Sequence, residues 1–233
     1  MSLKIGILTT QTVHHTFFVR ELMKNYTNIS VFCEVGKIKS KKFETYHSFE
    51  KFRDKYEIDK WFKGKRIELK DIIDTKNFLS LNSHEAVKAL KIKKLDILIV
   101  FGTGRLKSQI IGINPNRIFN LHGGDPEKYR GLDTHLWAIY HNDFKALQTT
   151  LHRIAPKLDA GEIVLQSSIP IKRNLPLHCL QSFNTNICSK LTLSAINMFH
   201  IHGEIFSRPQ KKLGRYYSAM PRDLKRSEER RVG

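Results

Sequence analysis

Leu95-Asp-Ile-Leu-Ile-Val-Phe101, followed at once by Gly102-Thr-Gly104, reads as the clearest buried strand in the chain, with a glycine-lined turn at its end. Its apolar residues run without the polar alternation of a half-exposed strand, so both of its faces need cover. Upstream, a helical stretch from about Ser83 leads into it, and Ile29–Glu34 reads as another strand. Lys4–Leu8 is a first strand, and Val13, Phe17, Phe18 and Leu22 recur at the spacing of a helix packed on it. Downstream, Arg117–His122 is a further strand and ends in the pair Gly123 and Gly124. Leu147–Ile154 and Ile163–Ile171 are both β-rich and are separated by Pro156, Asp159, Ala160 and Gly161, which is a hairpin signature. From Leu177, apolar residues at Leu180, Ile187, Leu191, Ala195 and Met198 mark one long helix that should cover a face of the sheet. Strands alternating with helices make this an α/β fold.

The organisation expected is one domain over residues 1–221 and a charged tail, 222–233, that frays. Residues 37–65 are aromatic and charged with weak periodicity, so they read as a helical insertion or a substrate-facing lid. Cys33, Cys179 and Cys188 form no CxxC pair and no metal-like spacing with histidine, which is the usage of a reducing, cytoplasmic compartment. No apolar stretch has the length of a membrane span and no signal peptide is evident, so no membrane partner is expected. Lys and Arg number 40 against 22 Asp and Glu, a net charge of +18 that favours anionic partners. The basic residues are spread along the chain, apart from clusters at 37–42, 91–94 and the tail. Nothing in the sequence reports oligomeric state.

Two motifs bear on chemistry. Gly102-Thr-Gly104 begins like a dinucleotide fingerprint, but Lys107 stands where the third glycine belongs and the first strand leads into Thr9-Thr-Gln-Thr12 without glycine. Nicotinamide binding is therefore not expected. The richer stretch is Phe119-Asn-Leu-His-Gly-Gly-Asp-Pro-Glu-Lys-Tyr-Arg-Gly-Leu-Asp-Thr-His135. Asn120 and His122 are two apart on a strand, so their side chains share a face, at the strand end where open α/β sheets place ligands. An amide beside an imidazole offers a donor for a developing oxyanion and a group that exchanges protons near neutral pH. Asp159, in Lys157-Leu-Asp-Ala-Gly-Glu162, is either an ordinary turn aspartate or the carboxylate that orients this histidine.

Asn120-x-His122, the Tyr129-Arg-Gly131 loop and the Leu158-Asp-Ala-Gly161 turn together resemble the folate-dependent formyltransferase family. The resemblance runs from about Leu95 to Ile171 and more loosely over the first strand. It implies a Rossmann-like mixed sheet flanked by helices, with a C-terminal antiparallel hairpin and a long covering helix. It also implies 10-formyltetrahydrofolate as co-substrate, no metal, and Asn120, His122 and Asp159 as the catalytic residues. Phe101, Gly102, Gly104, Arg105 and Leu106 match the backbone-lined folate loop, and Leu158, Ala160 and Gly161 the other side of that pocket. Thr10, His14, His15, Tyr129, Arg130, Gly131 and Thr134 would meet the acceptor.

The reaction implied is attack of a neutral amine on the formyl carbon. Asn120 and His122 would stabilise the oxyanion, and Asp159 would orient His122 and help pass the proton. Gly131-Leu-Asp-Thr-His135 resembles glycinamide ribonucleotide formyltransferases, but those carry a glycine-rich phosphate loop where this chain reads Thr9-Thr-Gln-Thr-Val-His-His15. Methionyl-tRNA formyltransferases carry a further tRNA-binding domain, and too few residues follow the long helix for a separate core, so nucleic acid is not the expected partner. The leading expectation is a small anionic amine, a nucleotide-linked amino sugar; Tyr46, Phe49, Trp61 and Phe62 are either core packing, the favoured reading, or a stacking platform for its base or sugar. A formyltetrahydrofolate hydrolase and a folate-binding module are the remaining alternatives.

Overall fold

A computed structural model of the protein describes residues 2–36, 43–171 and 174–225. In chain order the elements begin with β1 (Ile5–Thr10), α1 (Val13–Met23), β2 (Ile29–Glu34), α2 (Phe49–Phe62) and β3 (Thr75–Phe78). They continue with α3 (His84–Lys93), β4 (Ile97–Phe101), α4 (Ser108–Ile111), β5 (Ile118–His122), β6 (Tyr129–Gly131) and α5 (Thr134–Tyr140). The last are β7 (Gln148–Arg153), β8 (Ile163–Ser168), α6 (Leu180–His202) and β9 (Arg215–Tyr217).

Seven strands form one sheet in the order β3-β2-β1-β4-β5-β7-β8, and β6 pairs with β9 in a separate ribbon. The first five strands are parallel, β7 runs antiparallel to β5, and β8 antiparallel to β7. The mixed sheet, terminal hairpin and covering helix are those expected from the sequence. β4 is buried along its whole length, which is why its run shows no alternation. Phe119, Ile99, Ile7 and Phe18 are fully covered in the main core, which also takes in Leu191 and Ile196 of α6. Burial of each such side chain contributes about 1.5–3 kcal/mol. The opposite face is closed by α3 and α4 through Leu8, Phe32, Leu98, Leu90 and Ile110. Helix starts follow local chemistry: Thr12 Oγ1 accepts the His15 N–H ahead of α1, and Ser83 Oγ accepts that of Ala86 ahead of α3.

Three points of the sequence reading need completing. Strands β3, β6 and β9 carried no strand signal; β3 reads Thr-Lys-Asn-Phe because it is an edge strand, exposed at its middle residues. Of the two readings of the four aromatics, core packing holds for most, and they form no single platform. Phe49 and Phe62 are buried, Trp61 stacks on Phe17 with ring centroids 4.0 Å apart, and Tyr46 alone of the four is exposed. Nor does the fold end at residue 221. Lys225 is 4% exposed, and its ammonium donates to the Thr45 carbonyl at 2.7 Å and to Glu50 at 2.8 Å. Residues 37–42 of the charged insertion and 226–233 of the tail lie outside the described residues. Among the described residues, no helix is long and apolar enough to cross a membrane.

Candidate active site

Asn120 and His122 stand at the C-terminal end of β5, where the parallel half of the sheet meets the antiparallel hairpin. The register sets His152 opposite Asn120 and Thr150 opposite His122, so four polar side chains share one face. The turn after β7 brings Asp159 to them. Its carboxylate lies 3.7 Å from His122 Nδ1 and 3.5 Å from His152 Nε2. Asn120 Nδ2 is 3.2 Å from that same His152 nitrogen. One cluster therefore holds an amide, two imidazoles and a carboxylate.

Asp159 has left-handed backbone, φ +49°, and its Oδ2 accepts the Gly131 N–H at 2.8 Å. Burial opposes its ionisation, but the facing His122, the neighbouring His152 and the Gly131 N–H outweigh burial and hold the carboxyl down at about 2. His122 Nε2 lies 2.9 Å from the Tyr129 carbonyl, which can only accept, so the proton of the neutral ring sits on Nε2. Its pKa is lowered, chiefly by burial, with Asp159 pulling the other way and His152 adding to the lowering. At neutral pH the ring thus presents an Nδ1 lone pair with an ionised carboxylate beside it. A proton taken at Nδ1 would be met by Asp159 at once.

His152 was missed by the sequence reading. Its signal was available: once Leu147–Ile154 is paired antiparallel with the Asn120 strand, alternation turns residues 150 and 152 to the face of Asn120 and His122. Asp125 and Gln166 extend the cluster, since Gln166 Nε2 donates to Thr150 Oγ1 at 3.0 Å and lies 3.3 Å from Asp125 Oδ1.

The expected folate-binding residues divide. Gly102, Gly104 and Arg105 are exposed, and the Arg105 guanidinium donates to the Pro156 carbonyl at 2.8 Å, tying the Gly102–Leu106 loop to the approach to the Asp159 turn. The Gly104 N–H is already engaged with Glu34 at 2.8 Å. Phe101 and Leu106 are core residues, packed in the two main clusters, so their side chains are not ligand surfaces. Leu158 and Ala160 are half-buried and Gly161 buried. A cavity of about 810 Å³ shares only Ala160 and Gly161 with these residues and is lined besides by Arg117, Arg153 and Phe199.

Most of the expected acceptor contacts turn inward. Arg130 is 8% exposed; its Nε donates to the Gly214 carbonyl and its Nη1 to that of Leu158. Tyr129 stacks on Tyr217 and gives the site its carbonyl, not its ring. Gly131 gives the site its N–H, and Thr134 Oγ1 donates to the Gly123 carbonyl. His15 Nδ1 donates to the Thr10 carbonyl at 2.9 Å, and its ring lies directly beneath Gly102, where a Cβ would stand 2.3 Å from it. Thr10 Oγ1 is bonded to the same histidine and to the Gly102 carbonyl.

His14 is buried against Glu57 of α2 at 3.4 Å. Burial drives the two apart in the neutral sense, His14 down to about 3 and Glu57 up to about 8, so this contact joins a carboxylic acid to a neutral imidazole. The consequence for stability has a definite sign. The contribution of Glu57 is complete below 4.5 and is lost as pH rises through about 8; that of His14 is present above 6.5 and is lost as pH falls through about 3. The two slopes offset each other between pH 4.5 and 6.5. Thermal melts should show Glu57→Gln gaining on the wild type as pH goes from 6.5 to 8.5. A constant difference between the two proteins across that range would contradict the assignment.

The family model for formyl transferases matches residues 28–182. This chain belongs to the formyl transferase family. The matched span takes in Asn120, His122, His152 and Asp159 and stops short of β9. A methionyl-tRNA formyltransferase of Porphyromonas gingivalis is 28% identical over 142 residues, covering 61% of this chain and 43% of that protein. The chain thus spans less than half the length of the curated relatives it matches first. Among solved structures, WlaRD, a sugar 3N-formyl transferase crystallised in the presence of dTDP and 5-N-formyl-THF, aligns with TM-score 0.62 and 21% identity over 94% of this chain and 70% of that one. An N-formyltransferase from Helicobacter canadensis in complex with folinic acid and dTDP-3-aminofucose aligns with TM-score 0.60 and 16% identity over 93% and 71%. Both likenesses show that this formyl transferase shares their fold.

Proposed function

We propose that this protein transfers a formyl group from 10-formyltetrahydrofolate to the primary amine of an anionic acceptor, most simply a nucleotide-linked amino sugar. The observation that carries the reading is the Asp159–His122 pair beside Asn120, in a chain of the formyl transferase family. The exposed backbone at Gly102–Arg105, tied across to Pro156, suits a flat heterocycle that binds through main-chain groups. The folate, when bound, supplies the formyl carbon and departs as tetrahydrofolate.

The residues divide the remaining work. An amide has two Nδ2 hydrogens, so Asn120, held by His152, keeps a second one for the oxyanion that forms as the amine adds. The expected oxyanion donor on His122 is spent on Tyr129, which leaves that ring the other task. Its Nδ1 takes the proton the attacking nitrogen must lose, and Asp159 stabilises the imidazolium. The proton then passes to the departing folate nitrogen, and the ring returns to neutral. The net positive charge of +18 favours an acceptor carrying phosphates.

WlaRD and the Helicobacter enzyme support the amino-sugar reading through the ligands in their crystals. Methionyl-tRNA is the second reading, supported by the sequence relatives. The test is tetrahydrofolate release from 10-formyltetrahydrofolate, followed spectrophotometrically with nucleotide-linked amino sugars, glycinamide ribonucleotide, methionyl-tRNA or no acceptor. Release that depends on one amine names its class, and release without acceptor means a hydrolase. Failure of the folate to bind at all removes the reading.

A further inference from the structure

The segment between α6 and β9 crosses the outside of the Asp159 turn. Arg208 bridges to Ile163 through paired backbone hydrogen bonds of 2.8 Å, and its guanidinium pairs with Glu127 at 3.0 Å. The Gly214 N–H reaches the Pro126 carbonyl, and β9 then zips along β6. Between these anchors lies Gln210. Its Nε2 donates to the carbonyls of Asp159 at 2.9 Å and Gly161 at 2.8 Å. Both neighbours are acceptors, so the amide orientation is fixed by chemistry. Its Oε1 is buried with no hydrogen-bond partner. An amide that leaves its oxygen unsatisfied while spending both hydrogens on one turn is placed there for its donors.

That turn needs holding. Asp159 carries positive φ, a backbone state that L residues resist, and its neighbour Leu158 is held from the other side by Arg130, itself anchored on Gly214. The carbonyls of Leu158, Asp159 and Gly161 thus take their donors from outside the hairpin. We propose that Gln210 is a positioning residue: it fixes the Asp159 peptide so that the carboxylate faces His122 and His152. The proposal rests on the formyl-transfer reading for its effect on rate, but not for its effect on His122.

Gln210→Met keeps the shape and removes the donors; Gln210→Glu keeps the shape and sets a carboxylate against two carbonyls. Loosening the turn draws the carboxylate away, so His122 should titrate lower still and Asp159 higher than in the wild type. The titratable groups facing His122 are Asp159, His152, Asp125 and His135, and only Asp159 sits on the released turn. Both titrations are read by NMR on the full chain without any substrate. In the assay, kcat should fall roughly 10- to 100-fold with KM for the folate within about twofold, as expected of a group displaced from its reacting geometry. Arg208→Ala, which loosens the same segment away from the turn, should lower Tm and leave the His122 titration in place. If the Met variant, or the Glu variant should the first fail to fold, keeps the wild-type His122 and Asp159 titrations, the proposal is overturned. If the wild type transfers no formyl group, the functional reading falls, and the NMR titrations still decide the role of Gln210.

Discussion

His122→Ala is expected to lower kcat by roughly 10² to 10⁴, with little change in the affinity for the folate. The ring touches the Tyr129 carbonyl and Asp159, so its removal deletes the proton acceptor and leaves the carboxylate to His152 and the Gly131 N–H, without opening the exposed Gly102–Arg105 backbone. The pH profile carries a second signature. His122 must be neutral to accept a proton, and burial lowers its pKa, so the acid limb of the wild-type rate should be centred below the 6.5 of a free imidazole. The residual rate of the variant should lack that acid limb. Steady-state kinetics between pH 4.5 and 8 measure both. An acid limb that persists in the variant would assign it to another group.

Gly161→Ala should be nearly as damaging, by a purely steric route. A Cβ there would stand 1.7 Å from the Arg153 carbonyl oxygen and 2.6 Å from its carbon. Those atoms are backbone at the end of β7, a strand paired on both sides by β5 and β8, and cannot give, so the turn must move, and Asp159 is two residues away. A displacement of about 1 Å at a reacting group commonly costs on the order of 10² in rate. The control is Gly203→Ala, at the left-handed C-cap of α6, where a Cβ meets nothing within 4 Å. That variant should lose about 1 kcal/mol of stability and keep its activity. If Gly161→Ala behaves like Gly203→Ala, the turn does not position Asp159.

The parallel half of the sheet was legible because its chemistry is local. β4 declares itself by an unbroken apolar run, and α1 by the spacing of Val13, Phe17, Phe18 and Leu22. β3 and β6 were not legible: their residues are polar or follow a motif, and they become strands only because β2 and β9 lie alongside. In the site, Asn120 and His122 could be read from spacing along one strand, whereas His152 needs the register between two. Arg130 and His14, assigned to the acceptor, turn inward, because residue type carries no direction. A guanidinium between two carbonyls and one facing a phosphate look the same in a sequence. Glu57 and Gln210 carried no signal, as their partners lie 43 and about 50 positions away.

The crossing of the Asp159 turn by the segment after α6 also sets an order in time. A ribosome that has delivered the chain as far as His202 has supplied every strand of the seven-stranded sheet, together with Asn120, His122, His152 and Asp159. Gln210, Gly214 and β9 have yet to emerge. The nascent chain can thus assemble its sheet around an unfinished centre, and the residues that brace the Asp159 turn arrive afterwards, together with Ile205 and Met220, which complete the main core.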